Sequence, residues 1–158
     1  MKKITITQIS EKKIKAGNPL LQMEDFPNEL SFDEGELVEL VDSRQKFVAK
    51  AYLAKQNKGV GWVFSLDNAD SFNEAFFKKQ FEKAKRKRTD LQSDPETTTY
   101  RLFNAEGDGI PGVTIDHYDG FAVVSWYSEG IFRYQTAIIA AFQAVFPETK
   151  GIYEKFRY

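Results

Sequence analysis

The sequence predicts a mixed α+β fold, in which an N-terminal small β-barrel is joined by a helix to a small α+β domain. Three observations support this prediction. Short β-rich runs fill the first 70 residues, one long amphipathic helix follows, and residues 99–158 contain strands around a single further helix. Short strands at such regular spacing are typical of a small barrel.

The first unit, residues 1–70, contains four predicted strands. Each run alternates apolar and polar residues or is rich in β-branched and aromatic side chains, and turn-forming residues separate the runs. The predicted strands are Ile4 to Gln8, Leu37 to Val41, Phe47 to Ala54 and Val60 to Leu66. We expect these strands to close into the barrel.

Residues 71–98 form a connecting basic helix and a polar linker. Ser71 and Glu74 have the spacing of a capping box, which predicts a helix from about Phe72 to Leu91. At 100° per residue its apolar side chains fall on two faces, so we expect the helix to contact both neighbouring units. One face carries Phe77, Phe81, Ala84 and Leu91, and the other carries Phe72 and Phe76.

The sequence of residues 99–158 predicts a middle α+β domain whose elements follow in the order β-ββ-α-β. It begins with a strand at Tyr100 to Asn104 and continues with a hairpin, Val113 to Tyr127, that turns at Asp119-Gly120. Apolar residues at helical spacing then precede Pro147, and Gly151 to Phe156 is the last strand. Because the sequence ends directly after this apolar strand, we expect the domain to be truncated.

Composition excludes several classes of site. The 158 residues contain no cysteine, which rules out disulfides, thiolate zinc sites and a cysteine nucleophile within them. The N-terminus lacks the apolar core of a signal peptide, and no apolar run reaches membrane-spanning length. We therefore expect a cytoplasmic protein without a membrane partner.

The charge is unevenly distributed although the net charge is only −1. Residues 76–99 contain seven basic and four acidic side chains. A local basic cluster of this kind is a candidate for contact with a nucleic acid.

A loop rich in glycine and acid connects the first two strands of the last unit. Gly107, Gly109 and Gly112 have the spacing G-x-G-x-x-G of dinucleotide-binding proteins. That motif requires a helix to begin at its glycines, whereas a β-type run starting at Val113 follows here. Pro111 also disfavours a helix at this point. The context therefore argues against a nucleotide pocket.

The same loop, with its flanks, resembles the signature R-L-x-x-x-E-x-D-G-x-P-G-x-x-x-D-x-Y of bacterial ribosomal RNA large subunit methyltransferase I-like proteins. The matching residues are Arg101, Leu102, Glu106, Asp108, Gly109, Pro111, Gly112, Asp116 and Tyr118. The resemblance implies that residues 1–70 are an RNA-binding PUA-like module and that residues 99–158 are the middle domain of such an enzyme. The family's third part, a Rossmann-like domain that binds S-adenosylmethionine, is expected to be absent from this chain.

The resemblance also implies a function. The chain is expected to be the RNA-recognition and positioning portion of an S-adenosylmethionine-dependent 23S ribosomal RNA (cytosine-C5) methyltransferase, with ribosomal RNA as its partner. Methylation at C5 ordinarily requires a thiolate that adds to the pyrimidine, and this chain has no thiol. The segment alone is therefore predicted to be inactive and to bind no cofactor or metal.

The candidate RNA-binding residues lie on the basic helix and in the first unit. They are Lys78, Lys79, Lys83, Lys85, Arg86, Lys87 and Trp62. On the helical wheel, Lys79, Lys83 and Arg86 fall opposite the Phe77 face, where they can meet a phosphate backbone together. The alternative is a solvated helix face on which Glu82 pairs with its neighbours. Tyr52 and Trp126 are further aromatic candidates, of which Trp126 is expected to be core.

Seven residues of the signature are predicted to be structural or to face the substrate. They are Arg101, Glu106, Asp108, Gly109, Pro111, Gly112 and Asp116. The three carboxylates also admit an acid–base or Mg²⁺ interpretation, but aspartates in turns more commonly bond to the local backbone. His117, the sole histidine, is expected to pack rather than to shuttle protons.

Two other function classes remain open at this stage. One is a freestanding, non-catalytic RNA-binding module, and the other is a protein-interaction domain whose acidic loop meets a partner. A homodimer is one assembly that the sequence leaves open.

Overall fold

The computed structural model describes residues 1–158, which form two β-sheets and five α-helices. The strands are β1 (Lys2–Thr5), β2 (Leu20–Leu21), β3 (Leu37–Val41), β4 (Phe47–Gln56), β5 (Gly59–Ser65), β6 (Thr99–Asn104), β7 (Val113–Tyr118), β8 (Phe121–Trp126) and β9 (Gly151–Phe156). The helices are α1 (Gln8–Lys15), α2 (Glu74–Lys87), α3 (Thr89–Ser93), α4 (Glu129–Phe132) and α5 (Gln135–Val145). None of them has the length and apolar character that crossing a lipid bilayer requires.

The first sheet has five strands in the order β1-β3-β4-β5-β2. β1 runs parallel to β3, and the other pairs are antiparallel. Strand pairing ends at β1 on one side and at β2 on the other, so no strand pair closes the sheet on itself. The predicted strands β3, β4 and β5 are confirmed, with shifts of up to two residues at their ends.

The predicted strand from Ile4 to Gln8 is wrong in its second half. The strand ends at Thr5, and α1 begins at Gln8 because Thr7 caps it: the Thr7 hydroxyl oxygen accepts a hydrogen bond from the Ser10 N–H at 3.2 Å. Ile14 of α1 is buried beneath the sheet. A helix of eight residues with a single deeply buried apolar side chain leaves little periodic pattern in the sequence.

The second sheet has the order β6-β7-β8-β9. The predicted hairpin is confirmed, since β7 and β8 pair in register from Val113↔Trp126 to Tyr118↔Phe121. At its turn, Asp119 and Gly120 both have positive φ, 45° and 89°, as a two-residue hairpin loop requires. β9 runs parallel to β8, and α4 and α5 provide the crossover connection that parallel pairing requires.

The α2 helix is shorter than predicted at both ends. Asn73 rather than Ser71 is its cap, because the Asn73 side chain accepts a hydrogen bond from the Phe76 N–H at 3.0 Å. The helix ends at Lys87, and Leu91 lies on the separate short helix α3, where it is 39% exposed. Leu91 therefore does not extend the Phe77 face.

One apolar cluster of 22 buried residues contains side chains from both sheets. Phe77 and Phe81 of α2 are fully buried in it, together with Tyr52 of the first sheet and Phe103 and Trp126 of the second. A smaller cluster of 11 residues lies between the first sheet and α1. The two sheets thus share a core, and α2 lies at the centre of that core.

The predicted fold class is wrong in two respects: the closed barrel of the first unit, and the helix as a mere connection between two units. The first sheet is open at its edges, so it is not a closed barrel. The helix contacts both units, as predicted, but it does not connect two separately packed bodies, because its aromatic side chains belong to the shared core. Large aromatic residues on two faces of one helix favour burial on both sides, and the two sheets provide it.

Candidate nucleic-acid interface at the signature loop

The signature loop, residues 105–112, has a conformation that only glycine tolerates at two positions. A short 3-10 helix, Ala105–Asp108, ends at Gly109, whose φ of 97° lies in the left-handed region. A Cβ atom on Gly109 would come within 2.5 Å of Gln80 Oε1 on α2. The loop is therefore packed directly against the helix and is not an open cradle.

Asp108 fixes the loop to the end of α2. Its buried carboxylate accepts hydrogen bonds from the Asn104 N–H at 2.7 Å and from Arg88 Nη2 at 2.7 Å, and Lys87 Nζ lies 3.2 Å away. Burial alone would raise the pKa of Asp108, but the hydrogen bonds from Arg88, Asn104 and Lys87 outweigh it and hold the pKa below its ordinary value. With its oxygen atoms occupied in this way, Asp108 has a structural role.

Tyr52 of the first sheet holds the other end of the loop. Its hydroxyl donates a hydrogen bond to the Pro111 carbonyl at 2.7 Å. Gly112, with φ of 90°, lies against the same hydroxyl, so a side chain at this position would collide with it. Tyr52 is completely buried, and burial raises its pKa well above the ordinary value. It therefore offers no surface on which a base could stack.

The three remaining charged residues of the signature, Arg101, Glu106 and Asp116, differ in their surroundings. Arg101 and Asp116 are cross-strand neighbours on β6 and β7, and they form a bidentate ion pair with distances of 2.8 and 3.1 Å. Glu106 is exposed, and its side chain forms no hydrogen bond or ion pair. The three carboxylates do not converge, and nowhere do three His, Asp or Glu side chains meet in a metal-binding arrangement.

His117 stabilises the hairpin turn. Its ring stacks on Tyr100 with a centroid distance of 4.8 Å, and its Nε2 accepts a hydrogen bond from the Gly120 N–H at 3.1 Å. The packing role expected from the sequence agrees with this geometry.

A groove with a volume of about 410 Å³ separates the signature loop from the first sheet. Gln56, Lys58 and Trp62 lie on the side of the first sheet, and Glu106 and Tyr127 lie on the side of the second. Trp62 is partly buried, and its Nε1 donates to Gln56 Oε1 at 2.9 Å, which fixes the indole ring. This groove brings two predicted site residues, Trp62 and Glu106, to one place.

Some of the lysine and arginine side chains of α2 bind other groups of the chain, and the others are free. Lys85 donates to the Val145 carbonyl at 2.9 Å and lies over the Phe146 ring, and Lys87 faces Asp108. Four others are exposed and form no ion pair: Lys78, Lys79, Lys83 and Arg86. Glu82 does not pair with any of them. We refer to Lys79, Lys83 and Arg86 as the cation stripe.

Sequence reasoning missed the residues that hold the loop and part of the groove. Arg88 is not among the predicted site residues, although its hydrogen bond to Asp108 helps to position the loop. Lys58 and Arg157, which line the groove, are also absent from the predicted site residues. The one available signal for Lys58 was its position four residues before Trp62.

Comparisons with known proteins identify relatives for the whole chain. A family model described as a PUA-like domain matches residues 4–66. The chain is 40% identical over 160 residues to YwbD of Bacillus subtilis, which carries the name of a ribosomal RNA large subunit methyltransferase, and covers 40% of it. It is 33% identical to ribosomal RNA large subunit methyltransferase I of Cronobacter sakazakii over 121 residues, which are 77% of this chain and 30% of that protein.

Solved structures agree with these sequence relatives. The chain superposes over 99% of its length on 41% of a structure described as a SAM-dependent methyltransferase from Streptococcus mutans, with 43% identity and a TM-score of 0.93. A structure of SMU.776, described as a methyltransferase complexed with SAH, gives the same identity and TM-score.

This superposition overturns the predicted fold class of a barrel joined to a separate α+β domain without the methyltransferase fold. The two sheets and α2 together are part of a methyltransferase structure. The chain spans about two fifths of the length of these relatives. By sequence and by structure it is homologous to this part of the ribosomal RNA large subunit methyltransferase I-like proteins.

Proposed function

We propose that this chain recognises and positions RNA for an S-adenosylmethionine-dependent methyltransferase that acts on a cytosine C5 of 23S ribosomal RNA. The observation that carries the proposal is the cation stripe. Lys79, Lys83 and Arg86 are exposed on one helix and free of acidic partners, so they are available to neutralise phosphates. The names of the relatives and the PUA-like match support RNA as the ligand.

We propose further that S-adenosylmethionine binds outside these residues. The glycine-rich loop is the only part of the chain that resembles a cofactor motif, and two of its three glycines, Gly109 and Gly112, are packed against Gln80 and Tyr52. A ligand could not approach the backbone there without displacing these side chains. Equilibrium dialysis of the chain with labelled S-adenosylmethionine should show no retention, and stoichiometric binding would contradict this part of the proposal.

Methyl transfer by the chain alone is not expected. A pyrimidine C5 becomes nucleophilic only after a nucleophile, ordinarily a thiolate, has added to C6, and the chain contains no cysteine. Its contribution would be to orient the substrate, which is a separate component of catalysis. We propose a cytoplasmic location on the basis of this proposed substrate, and the proposal does not require a homodimer.

The salt dependence of RNA affinity tests the cation stripe. Each phosphate contact contributes a slope of about −0.7 to −0.9 to a plot of log affinity against log salt concentration. The triple variant Lys79→Gln, Lys83→Gln, Arg86→Gln should therefore flatten the slope by about 2 to 3. Affinity for a ribosomal RNA fragment would be measured by filter binding or fluorescence anisotropy over a series of salt concentrations.

A matched control removes the same number of cations from elsewhere. Lys2, Lys3 and Lys15 face Glu36, Glu39 and Glu11 at 3.9, 3.7 and 2.6 Å. Because these cations already have acidic partners, their replacement by glutamine should change the slope by less than about 1. Equal slopes for the stripe variant and the unmodified chain would refute the stripe as the RNA contact.

A further inference from the structure

The groove beside the signature loop has one aromatic side chain on each side, and intramolecular contacts hold both of them in place. The hydrogen bond from Trp62 Nε1 to Gln56 Oε1 holds the indole, and the ring remains only partly buried. Tyr127, which is 39% exposed, lines the same groove, and its hydroxyl lies 3.4 Å from the hydroxyl oxygen of Thr114. Aromatic side chains held in this way are suited to stacking with a nucleobase.

Three charged side chains of the groove have no partner within the chain. Lys58 and Arg157 are exposed and belong to none of the ion pairs of the structure. Glu106 is likewise unpaired. Two free cations suit the phosphates on either side of a nucleotide, whereas a free carboxylate repels phosphate and accepts hydrogen bonds from amino groups.

Gln56 supplies a further polar group that lacks a partner. Its Oε1 is occupied by Trp62, but its Nε2 is buried and makes no hydrogen bond. Buried donors without partners are rare in folded proteins, and an acceptor supplied by a ligand is one way to satisfy them.

We propose that this groove binds one unpaired RNA base that carries an exocyclic amino group. The base would stack on Trp62, the amino group would donate to Glu106, and Lys58 and Arg157 would hold the adjoining phosphates. Cytosine has such an amino group at C4, whereas uracil has a carbonyl oxygen there, which a carboxylate disfavours. This inference rests on the proposed function, because it specifies what the RNA-recognition surface reads.

Tryptophan fluorescence provides a direct assay. The chain has two tryptophans, and Trp126 is completely buried, so quenching by a short oligonucleotide reports on Trp62. We expect single-stranded oligocytidine to quench the fluorescence and to bind at least about 5-fold more tightly than oligouridine of the same length. Trp62→Leu should remove the quenching and weaken binding of oligocytidine by roughly 10-fold.

Two further variants separate recognition of the base edge from binding of the adjoining phosphates. Glu106→Gln should reduce the preference for oligocytidine over oligouridine while retaining the quenching, because Glu106 contacts only the base edge. The pair Lys58→Gln, Arg157→Gln alters two exposed side chains, so it tests the groove even where Trp62→Leu does not fold. This pair should weaken binding of both oligonucleotides and flatten the salt slope by about 1 to 2.

The outcomes distinguish the groove from the proposed function. Salt-dependent RNA binding that the stripe variant weakens, without quenching and without an effect of the groove variants, would overturn the groove assignment and leave the proposed function intact. Absence of any salt-dependent binding to ribosomal RNA fragments would contradict both. Quenching with equal affinity for cytidine and uridine oligonucleotides would overturn the role of Glu106 and with it the proposed base class.

Discussion

The link between Asp108 and Arg88 should be a principal support of the signature loop, and Asp108→Asn tests it. The Asp108 side chain is 4% exposed and that of Arg88 is 15% exposed, so solvent screens their interaction weakly. Removing one partner of a buried ion pair costs about 3 to 5 kcal/mol. Asparagine retains an acceptor for the Asn104 N–H and for Arg88, which reduces the expected loss to about 2 kcal/mol. Lys87, 60% exposed, should contribute little to this difference.

The pH dependence of this loss follows from the direction of the pKa shift. Hydrogen bonds hold the pKa of Asp108 below its ordinary value of 3.8, so the ionised carboxylate stabilises the folded state. That stabilisation is fully present above the unfolded pKa and is lost as the pH falls through the folded pKa. The difference in unfolding free energy between the unmodified chain and Asp108→Asn should be constant from pH 7 to about 5 and should shrink below about pH 4. Asp25 also has a lowered pKa, but it is present in both proteins and cancels in the comparison.

Urea denaturation followed by circular dichroism measures the effect. At pH 7 we expect a loss of about 2 kcal/mol, equivalent to a decrease in Tm of about 4 to 8 °C for a chain of this length. A double-mutant cycle with Arg88→Gln should give a coupling energy of about 1 to 3 kcal/mol. A loss below about 0.5 kcal/mol, or a difference that does not change between pH 5 and pH 3, would refute the proposed role of the carboxylate.

Two further substitutions test the connection between the sheets. Gly112→Ala places a methyl group against the Tyr52 hydroxyl at a φ of 90°, so it should cost about 1 to 3 kcal/mol in urea denaturation; a neutral result would show that the loop relaxes freely. Phe81→Ala should cost about 3 to 5 kcal/mol and unfold both sheets in one transition, because Phe81 is fully buried in the core that they share. Phe156→Ala, at a position that is 53% exposed, is the matched control and should cost less than about 1 kcal/mol. Two separate transitions for Phe81→Ala would contradict the shared core.

Local sequence patterns predicted those elements whose structure is decided locally. The hairpin from Val113 and the strands Leu37–Val41 and Gly151–Phe156 have alternation and turn residues that specify them with few alternatives. α1 was missed because an eight-residue helix has too few turns to show a period, and its cap at Thr7 lies within an alternating run. The start of α2 was misplaced by two residues because Ser71 and Asn73 are both competent caps.

The arrangement of the sheets and most of the site depend on contacts that are distant in sequence. The Tyr52–Pro111 hydrogen bond joins residues 59 positions apart, and the Arg88–Asp108 pair joins residues 20 apart. No periodic pattern encodes such partners. The resemblance located the signature loop, but it did not indicate that Asp108 is buried and Glu106 exposed. That difference determines which carboxylate is structural and which is available to a ligand.

The hydrogen bond from Tyr52 to the Pro111 carbonyl constrains how RNA would enter the groove under the proposed function. Because it joins the first sheet to the loop of the second at a fully buried site, this hydrogen bond opposes separation of the two walls of the groove. An RNA strand would have to unstack a base and bend, because the groove already has its shape before RNA binds. Folded hairpins and bulges with an already extruded base would then bind faster than fully paired duplexes, since the cost of distortion falls on the nucleic acid.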